Sequence, residues 1–456
     1  MRFPLLLKSI VVAILILAIM IPLGMIEGTI AERQTFREQA VASVAQSYAG
    51  PQSLVGPVVV VPYLADVPET VNDANGIAHS QIRSERGQWT FFPHSLSIDG
   101  YVKPDEKHRG IHRVRVYKLS AKLKEHFDIA VPTELSGATL KEIGKPYLSF
   151  GIDDVRGLIG SPVLTLDGHA APLQQGAGSD GSGGDSRGDG VHADLAALAA
   201  GQKRTLDVAL DFDLGGTERL AIAPVGDSNR IELRSSWPSP DFEGRFSPDK
   251  PRISSEGFDA TWDISSLAAN TQSHYTGNGA MKDGADEIEI NLVDPVNIYV
   301  QATRASKYGI LFVLLTFAGF LMFELVKQLR IHPIQYLLVG LALAIFFLLL
   351  IGLSEHYEFV WSYLASSAAC IGLQGFYLSH VLHSRARGFG FATMLTALYA
   401  ALYGLLGSED NALLLGSLML FAILAAIMVV TRRIDWYGVA QAPLDAEPAT
   451  DAAAQP

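Results

Sequence analysis

The side chains of this 456-residue chain that could do chemistry in an apolar setting are Glu324, His332, Gln335, Glu355, His356, His380 and His383. Glu324 is the one acid well inside a long apolar run, and an ionisable group in such a place is costly enough to suggest a function. His380 and His383 share one helix face at i,i+3. With His332 and Glu324 they offer two or three imidazoles and a carboxylate, the donor set of catalytic zinc or non-haem iron. No HExxH-type spacing supports that set. The simpler expectation is an interfacial Glu324 paired with Lys327 at i,i+3. Gln335 and Gln374 are expected to hydrogen-bond between helices, since polar side chains in apolar spans need partners. Glu355 and His356 read as a solvated loop cap, or as a polar contact that docks the soluble domain to the membrane bundle, or as a pH-sensitive switch through His356. We therefore expect no catalytic, cofactor-binding or metal residues, and keep these seven as polar candidates.

Other motifs are weak. No serine of the apolar runs lies in a G-x-S-x-G setting. Asp153 and Asp154 are adjacent, but a hydrolytic carboxylate pair is defined by spatial separation. Asp180, Asp185 and Asp189 loosely follow a calcium loop, without its ligand order or terminal Glu. The single cysteine, Cys370, excludes disulfides and Cys-based zinc sites within the chain. A net charge of −12, with no basic patch, excludes a nucleic-acid partner.

These residues are positioned by apolar runs. Tyr308–Val326 and Ile334–Leu353 each approach the ~20 residues that span a bilayer. The short basic turn Lys327–Pro333 separates them. Val360–Leu382, Phe389–Leu406 and Ala412–Val430 follow, and Ile10–Ile26, behind Arg2 and Lys8, reads as an uncleaved signal anchor. Six transmembrane helices result. The helix-prone stretch 30–48 extends outward from the first, and Pro22 and Gly24 mark its outer end.

Short loops set the orientation. Lys327, Arg330, Arg385, Arg387, Arg432 and Arg433 fall in alternate loops, while the remaining short loops carry Glu355, Glu358, Glu409 and Asp410. The positive-inside rule puts both termini in the cytoplasm and residues 30–303 outside. Arg33, Arg37, Arg304 and Lys307 run against the rule but flank a long translocated domain. Trp361 and Tyr363, and Trp436 and Tyr437, suit aromatic belts.

Residues 30–303 read as mainly β. Val58–Tyr63, Gln88–Pro93, Ile111–Leu119, Leu206–Leu214, Ile231–Ser236, Phe258–Ile264, Glu287–Val293 and Val296–Gln301 are strand candidates. The alternation of Leu206, Val208, Leu210, Phe212 and Leu214 with polar residues is that of a half-buried strand. A sandwich or curled antiparallel sheet is expected. Residues 174–190 form a Gly/Ser/Asp loop expected to be disordered. The domains expected are 1–29, the anchor helix; 30–303, the β-domain; 304–433, five helices; and 434–456, a cytoplasmic tail disordered from about 440.

The chain resembles the CreD family of bacterial inner-membrane proteins. The matching stretches are Ser53-Leu54-Val55-Gly56-Pro57, Arg304-Ala305-Ser306-Lys307-Tyr308, His332-Pro333-Ile334-Gln335-Tyr336-Leu337-Leu338-Val339-Gly340 and Leu353-Ser354-Glu355-His356. Ala412-Leu413-Leu414-Leu415-Gly416 and Arg433-Ile434-Asp435-Trp436-Tyr437 fit as well. The resemblance implies a role in cell envelope integrity, with links to colicin tolerance and β-lactam stress, and brings no established site residues. The function expected is a non-enzymatic envelope protein acting through a periplasmic domain, with no cofactor and with the lipid bilayer, and an envelope protein or lipid, as partners. The alternative is a transporter or lipid-handling protein using the C-terminal bundle.

Overall fold

The structure is a computed structural model that describes residues 4–72, 78–178, 189–277, 279–292, 298–327, 331–381, 384–407 and 412–432. It divides into two compact units, residues 37–295 and residues 1–36 with 296–456.

The first unit is built on two sheets. Sheet A has nine strands: β1 (Gln52–Asn72), β2 (Ala78–Phe91), β5 (Thr139–Ile143), β6 (Tyr147–Ile152), β9 (Gln174–Gln175), β10 (Gly190–Asp194), β12 (Arg219–Ala223), β14 (Asp241–Gly244) and β19 (Ile288–Asn291). Sheet B has eight: β3 (Ser95–Arg109), β4 (His112–Ala130), β7 (Leu158–Leu166), β8 (His169–Ala171), β11 (Lys203–Thr217), β13 (Ser228–Ser235), β15 (Asp249–Ser254) and β16 (Gly257–Ser265). A small hairpin joins β17 (Tyr275–Gly277) to β18 (Ala280–Met281).

Most pairings are antiparallel, but β1 runs parallel to β12 and β3 parallel to β13. Inward residues alternate along β4 and β11, as a sheet with one wet face requires. The two inner faces meet in one core, where Phe150 of sheet A touches Phe212 of sheet B with ring centroids 5.5 Å apart. Val58–Val61 are buried on both sides of β1 and belong to that core cluster. One strand expectation fails. Ile298–Gln301 open the helix α3 (Ile298–Lys307) rather than a strand, because the β-branched pattern there leads into the helix-forming QATRASK.

The second unit is helical. α1 (Pro4–Ser47) begins in it and runs unbroken through Pro22; residues 37–47 belong to the β-unit, where Ala40 and Val44 pack on Val114 and Val116. A four-residue helix, α2 (Thr271–His274), also lies in the β-unit. After α3 come α4 (Gly309–Lys327), α5 (Pro333–Ser354), α6 (Phe359–Val381), α7 (Arg385–Gly407) and α8 (Ala412–Thr431).

Three described helical stretches are long and apolar enough to cross a membrane: Ile10–Ser47, Pro333–Ser354 and Arg385–Leu406. A fourth arises if α3 and α4, bent by 43°, form one broken span. Helix α6 is not among them, and its polarity is inside-out. It buries Ser362, Tyr363, Ser366, Ser367, Cys370 and Gln374, while Trp361, Leu364, Leu373 and Phe376 are exposed. That inversion suits a helix whose surroundings are hydrocarbon rather than water.

Candidate functional site

The sequence candidates Glu324, His332 and Gln335 gather where α4 gives way to α5. Residues 331–335 set up the second helix. The His332 ring accepts the Ile334 N–H at 3.3 Å, Pro333 occupies the first helical position, and the Gln335 side chain accepts the His332 N–H at 3.1 Å. This is a capping box with proline where no N–H is needed. Glu324, buried at 5% exposure, completes the arrangement. Its carboxylate accepts the Ile331 N–H at 3.2 Å and the Tyr336 hydroxyl at 2.9 Å. A negative charge there also faces the positive end of the α5 dipole. These two partners of Glu324 lie seven and twelve residues away, beyond the turn. The Lys327 side chain, its expected partner, lies outside the described residues.

The rest of the His332–Gly340 motif packs. Tyr336 is held between Phe317 and Phe320, and Val339 is buried. At Gly340 of α5, side chains of α1 and α4 press on the backbone: a Cβ there would lie 2.7 Å from Ile19 Cγ1 and 3.0 Å from the Phe317 ring. Glycine is needed for that approach.

The other candidates do not join this cluster. His380 is exposed, its Nδ1 3.1 Å from the Phe376 carbonyl of its own helix. His383 lies outside the described residues. His356 Nδ1 is 3.3 Å from the Gly352 carbonyl, and Glu355 pairs with Arg33 of α1 at 3.5 Å. Ser306 donates to Glu27 at 3.3 Å, a second polar tie to α1. Among the described residues no three His, Cys, Asp or Glu side chains gather as a metal site would require.

Two expectations are corrected. Gln335 caps its own helix instead of bridging two, and Gln374 is buried with neither amide atom hydrogen-bonded among the described residues. Tyr363 is not an outward belt residue; it is buried and donates to the Tyr399 carbonyl at 2.8 Å. Trp361 beside it does face outward.

The β-unit contains a site that sequence reading missed. A cleft of about 390 Å³ is lined by Ser53 and Val55 of β1, Asp153, Asp189, Arg219, the 279–285 segment and Glu287. Ser53 belongs to the Ser53–Pro57 motif, and its hydroxyl donates to Glu287 Oε1 at 2.8 Å. Arg219 reaches Glu287 Oε2 at 3.3 Å and Glu289 at 2.9 Å. The neighbouring acids 153 and 154 have different roles. Asp154 accepts the Gly50 N–H at 2.9 Å and pairs with Arg156, which holds its carboxyl below the usual range. Asp153 lines the cleft, where burial, then the charge of Glu287, raises its carboxyl, Arg219 opposing. The lining carries the acids Asp153, Asp189, Asp283 and Glu287 against Arg219 and Lys282, a negative balance. Asp189 is the one residue of the loose calcium pattern that is described, and it lines this cleft; Asp180 and Asp185 are outside the described residues.

The wall is closed by backbone. Gly151 of β6 and Gly279 approach so closely that a Cβ on Gly151 would lie 2.1 Å from the Gly279 carbonyl oxygen. No local signal joins these parts, since Ser53 and Glu287 are 234 residues apart.

Comparison with known proteins gives the identity of the chain. A crystal structure of a Legionella pneumophila protein described as nutrient-binding covers 47% of this chain and 72% of its own, at 9% identity and a TM-score of 0.25, too distant to bear on fold or function. The Inner membrane protein CreD of Escherichia coli (strain K12) is 33% identical over 428 residues, 92% of this chain and 91% of that protein. The family described as Inner membrane protein CreD matches residues 4–437. With its apolar helices and inside-out α6, the chain belongs to the CreD family of inner membrane proteins.

Proposed function

We propose that the protein supports cell envelope integrity without catalysis, through its β-unit. In this reading the helices cross the inner membrane six times, both termini are cytoplasmic, and the β-unit is periplasmic. The basic residues between α4 and α5 and at the start of α7, against the acidic loop after α5, support that orientation. The Arg33–Glu355 pair supports it too, since it brings an arginine that departs from the positive-inside pattern to the same end of the helical unit as an acidic loop.

The observation that carries the reading is the cleft of the β-unit, whose wall includes the family-motif residue Ser53. Its mixed charges, with Asp153 and Asp189 free of ion pairs among the described residues, suit recognition of an envelope component bearing a cationic group. The test is complementation of a deletion strain under β-lactam or detergent stress. Asp153→Asn with Asp189→Asn is expected to reach wild-type abundance in the membrane and to lose most of the protection. Full protection by that double variant would sink the reading.

A second reading, transport or lipid handling by the helical unit, is favoured by one observation. Ser366 and Gln374 of α6, Thr316 of α4 and Tyr399 of α7 bury polar atoms with no hydrogen-bond partner among the described residues. Polar groups left so inside a membrane unit are costly and could face a polar path. Glu324, the acid such a path would use, is instead engaged by Ile331 and Tyr336.

A further inference from the structure

Glu125 lies on the inward face of β4, between Leu123 and Phe127, which are fully buried. Its cross-strand neighbours are Leu96 of β3 and Val208 of β11. Beyond these on the same face are Ile98, Leu206 and Leu210, all buried. Glu125 itself is 4% exposed, and neither carboxyl oxygen has a hydrogen-bond partner among the described residues. Every other inward position around it is hydrocarbon. The titratable groups nearest along the ladder, Lys124 and His126 with Asp207 and Asp128, lie on the opposite face, because successive strand residues point to opposite sides.

We propose that Glu125 makes the β-unit an acid-tightened fold: as the neutral acid it completes the core of sheet B, and its ionisation loosens β3, β4 and β11. A buried carboxylate without a partner is far costlier than the neutral acid. Burial is the single cause acting on this carboxyl and pushes it well above the usual carboxylate range, with no neighbouring charge contributing. The sign follows from linkage. For an acid raised in the folded state, the stabilisation is fully present below the unfolded-state value of ~4.3 and is lost as pH rises through the folded one. Each pH unit within that window lowers the folded-to-open ratio up to about tenfold.

His126 titrates in the same direction, raised chiefly by its hydrogen bond with Asp207, so it needs its own control.

The experiment is hydrogen–deuterium exchange on the full-length protein in detergent, comparing wild type with Glu125→Gln at matched pH from 5 to 8. The amides of β3, β4 and β11 are expected to be protected alike at pH 5. By pH 8 the wild type should be at least tenfold less protected than the variant. Glu125→Leu, which needs no hydrogen bond, serves if the glutamine variant does not fold. His126→Gln is expected to keep most of the wild-type loss. A wild-type loss shared in full by Glu125→Gln or Glu125→Leu, or abolished by His126→Gln alone, overturns the proposal, as does a wild type showing no loss.

Discussion

Glu324→Ala is expected to unfold well below the wild type in thermal melts of the detergent-purified protein. The substitution strands two donors, the Ile331 N–H and the Tyr336 hydroxyl, in a buried turn. Each stranded donor costs about 1–3 kcal/mol, so a combined loss of about 2–6 kcal/mol is expected. Glu324→Gln should fall between, because its amide oxygen replaces one acceptor while its NH₂ cannot accept the other donor. Tyr336→Phe removes one of the same bonds, so the Glu324→Ala, Tyr336→Phe pair should be non-additive. These variants also separate a structural from a transporting Glu324. If the carboxylate only fastens the turn, Glu324→Gln keeps envelope protection to the degree that it keeps the fold. A Glu324→Gln protein that is stable and abundant but inactive would favour transport instead. An Glu324→Ala protein melting with the wild type would remove the fastening role.

The second large effect is expected at Gly151. A single methyl group there meets the backbone of Gly279 at 2.1 Å, and no flexible side chain is present to yield. Gly151→Ala must therefore move the 279–285 segment, which forms one side of the cleft. Overpacking of this kind costs about 1–3 kcal/mol, and more where backbone has to shift. Protection against envelope stress should be lost at a temperature where the variant is still folded, since the cleft deforms before the sandwich opens. As a steric control, Gly110→Ala places its Cβ in open space but at φ +60°, so its cost is backbone strain alone and its effect on protection should be small. Equal activity of Gly151→Ala and wild type would mean the cleft wall is not used.

What the sequence makes legible follows from the range over which each signal acts. Each apolar run between Tyr308 and Val430 coincides with a helix to within a few residues, because hydropathy and helix length are local properties. The alternation of Leu206–Leu214 likewise identifies β11. The sheet order does not follow, since β1 pairs in parallel with β12, more than a hundred residues later. The cleft is hidden for the same reason: Ser53, Asp153, Arg219 and Glu287 share no local pattern. Glu324 is visible as an unusual residue, but its bonds to Ile331 and Tyr336 depend on how the chain turns after α4, which no local pattern gives. Glu125 reads as one polar residue in the charged stretch Lys122–His126, and only the register of β3, β4 and β11 turns it inward.

Seen from the structure, several stretches that resemble the CreD family are fastenings. His332, Pro333, Gln335, Tyr336 and Gly340 cap, pin and seat α5, and Ser306 and Glu355 tie to α1. Ser53 and Val55 are the exceptions, since they line the cleft. Most of the specific motif residues therefore report how the helical unit is assembled, and the function proposed rests on the β-unit.

The central claim is that the β-unit is outside the cytoplasm while the start of α7 is inside. The direct measurement is labelling with a membrane-impermeant maleimide in a Cys370→Ser background, using Asp283→Cys at the cleft rim and Arg385→Cys at the start of α7, both exposed positions. Intact spheroplasts should label Asp283→Cys at once and Arg385→Cys only after lysis. Labelling of Arg385→Cys in intact spheroplasts, with Asp283→Cys protected until lysis, would contradict the account.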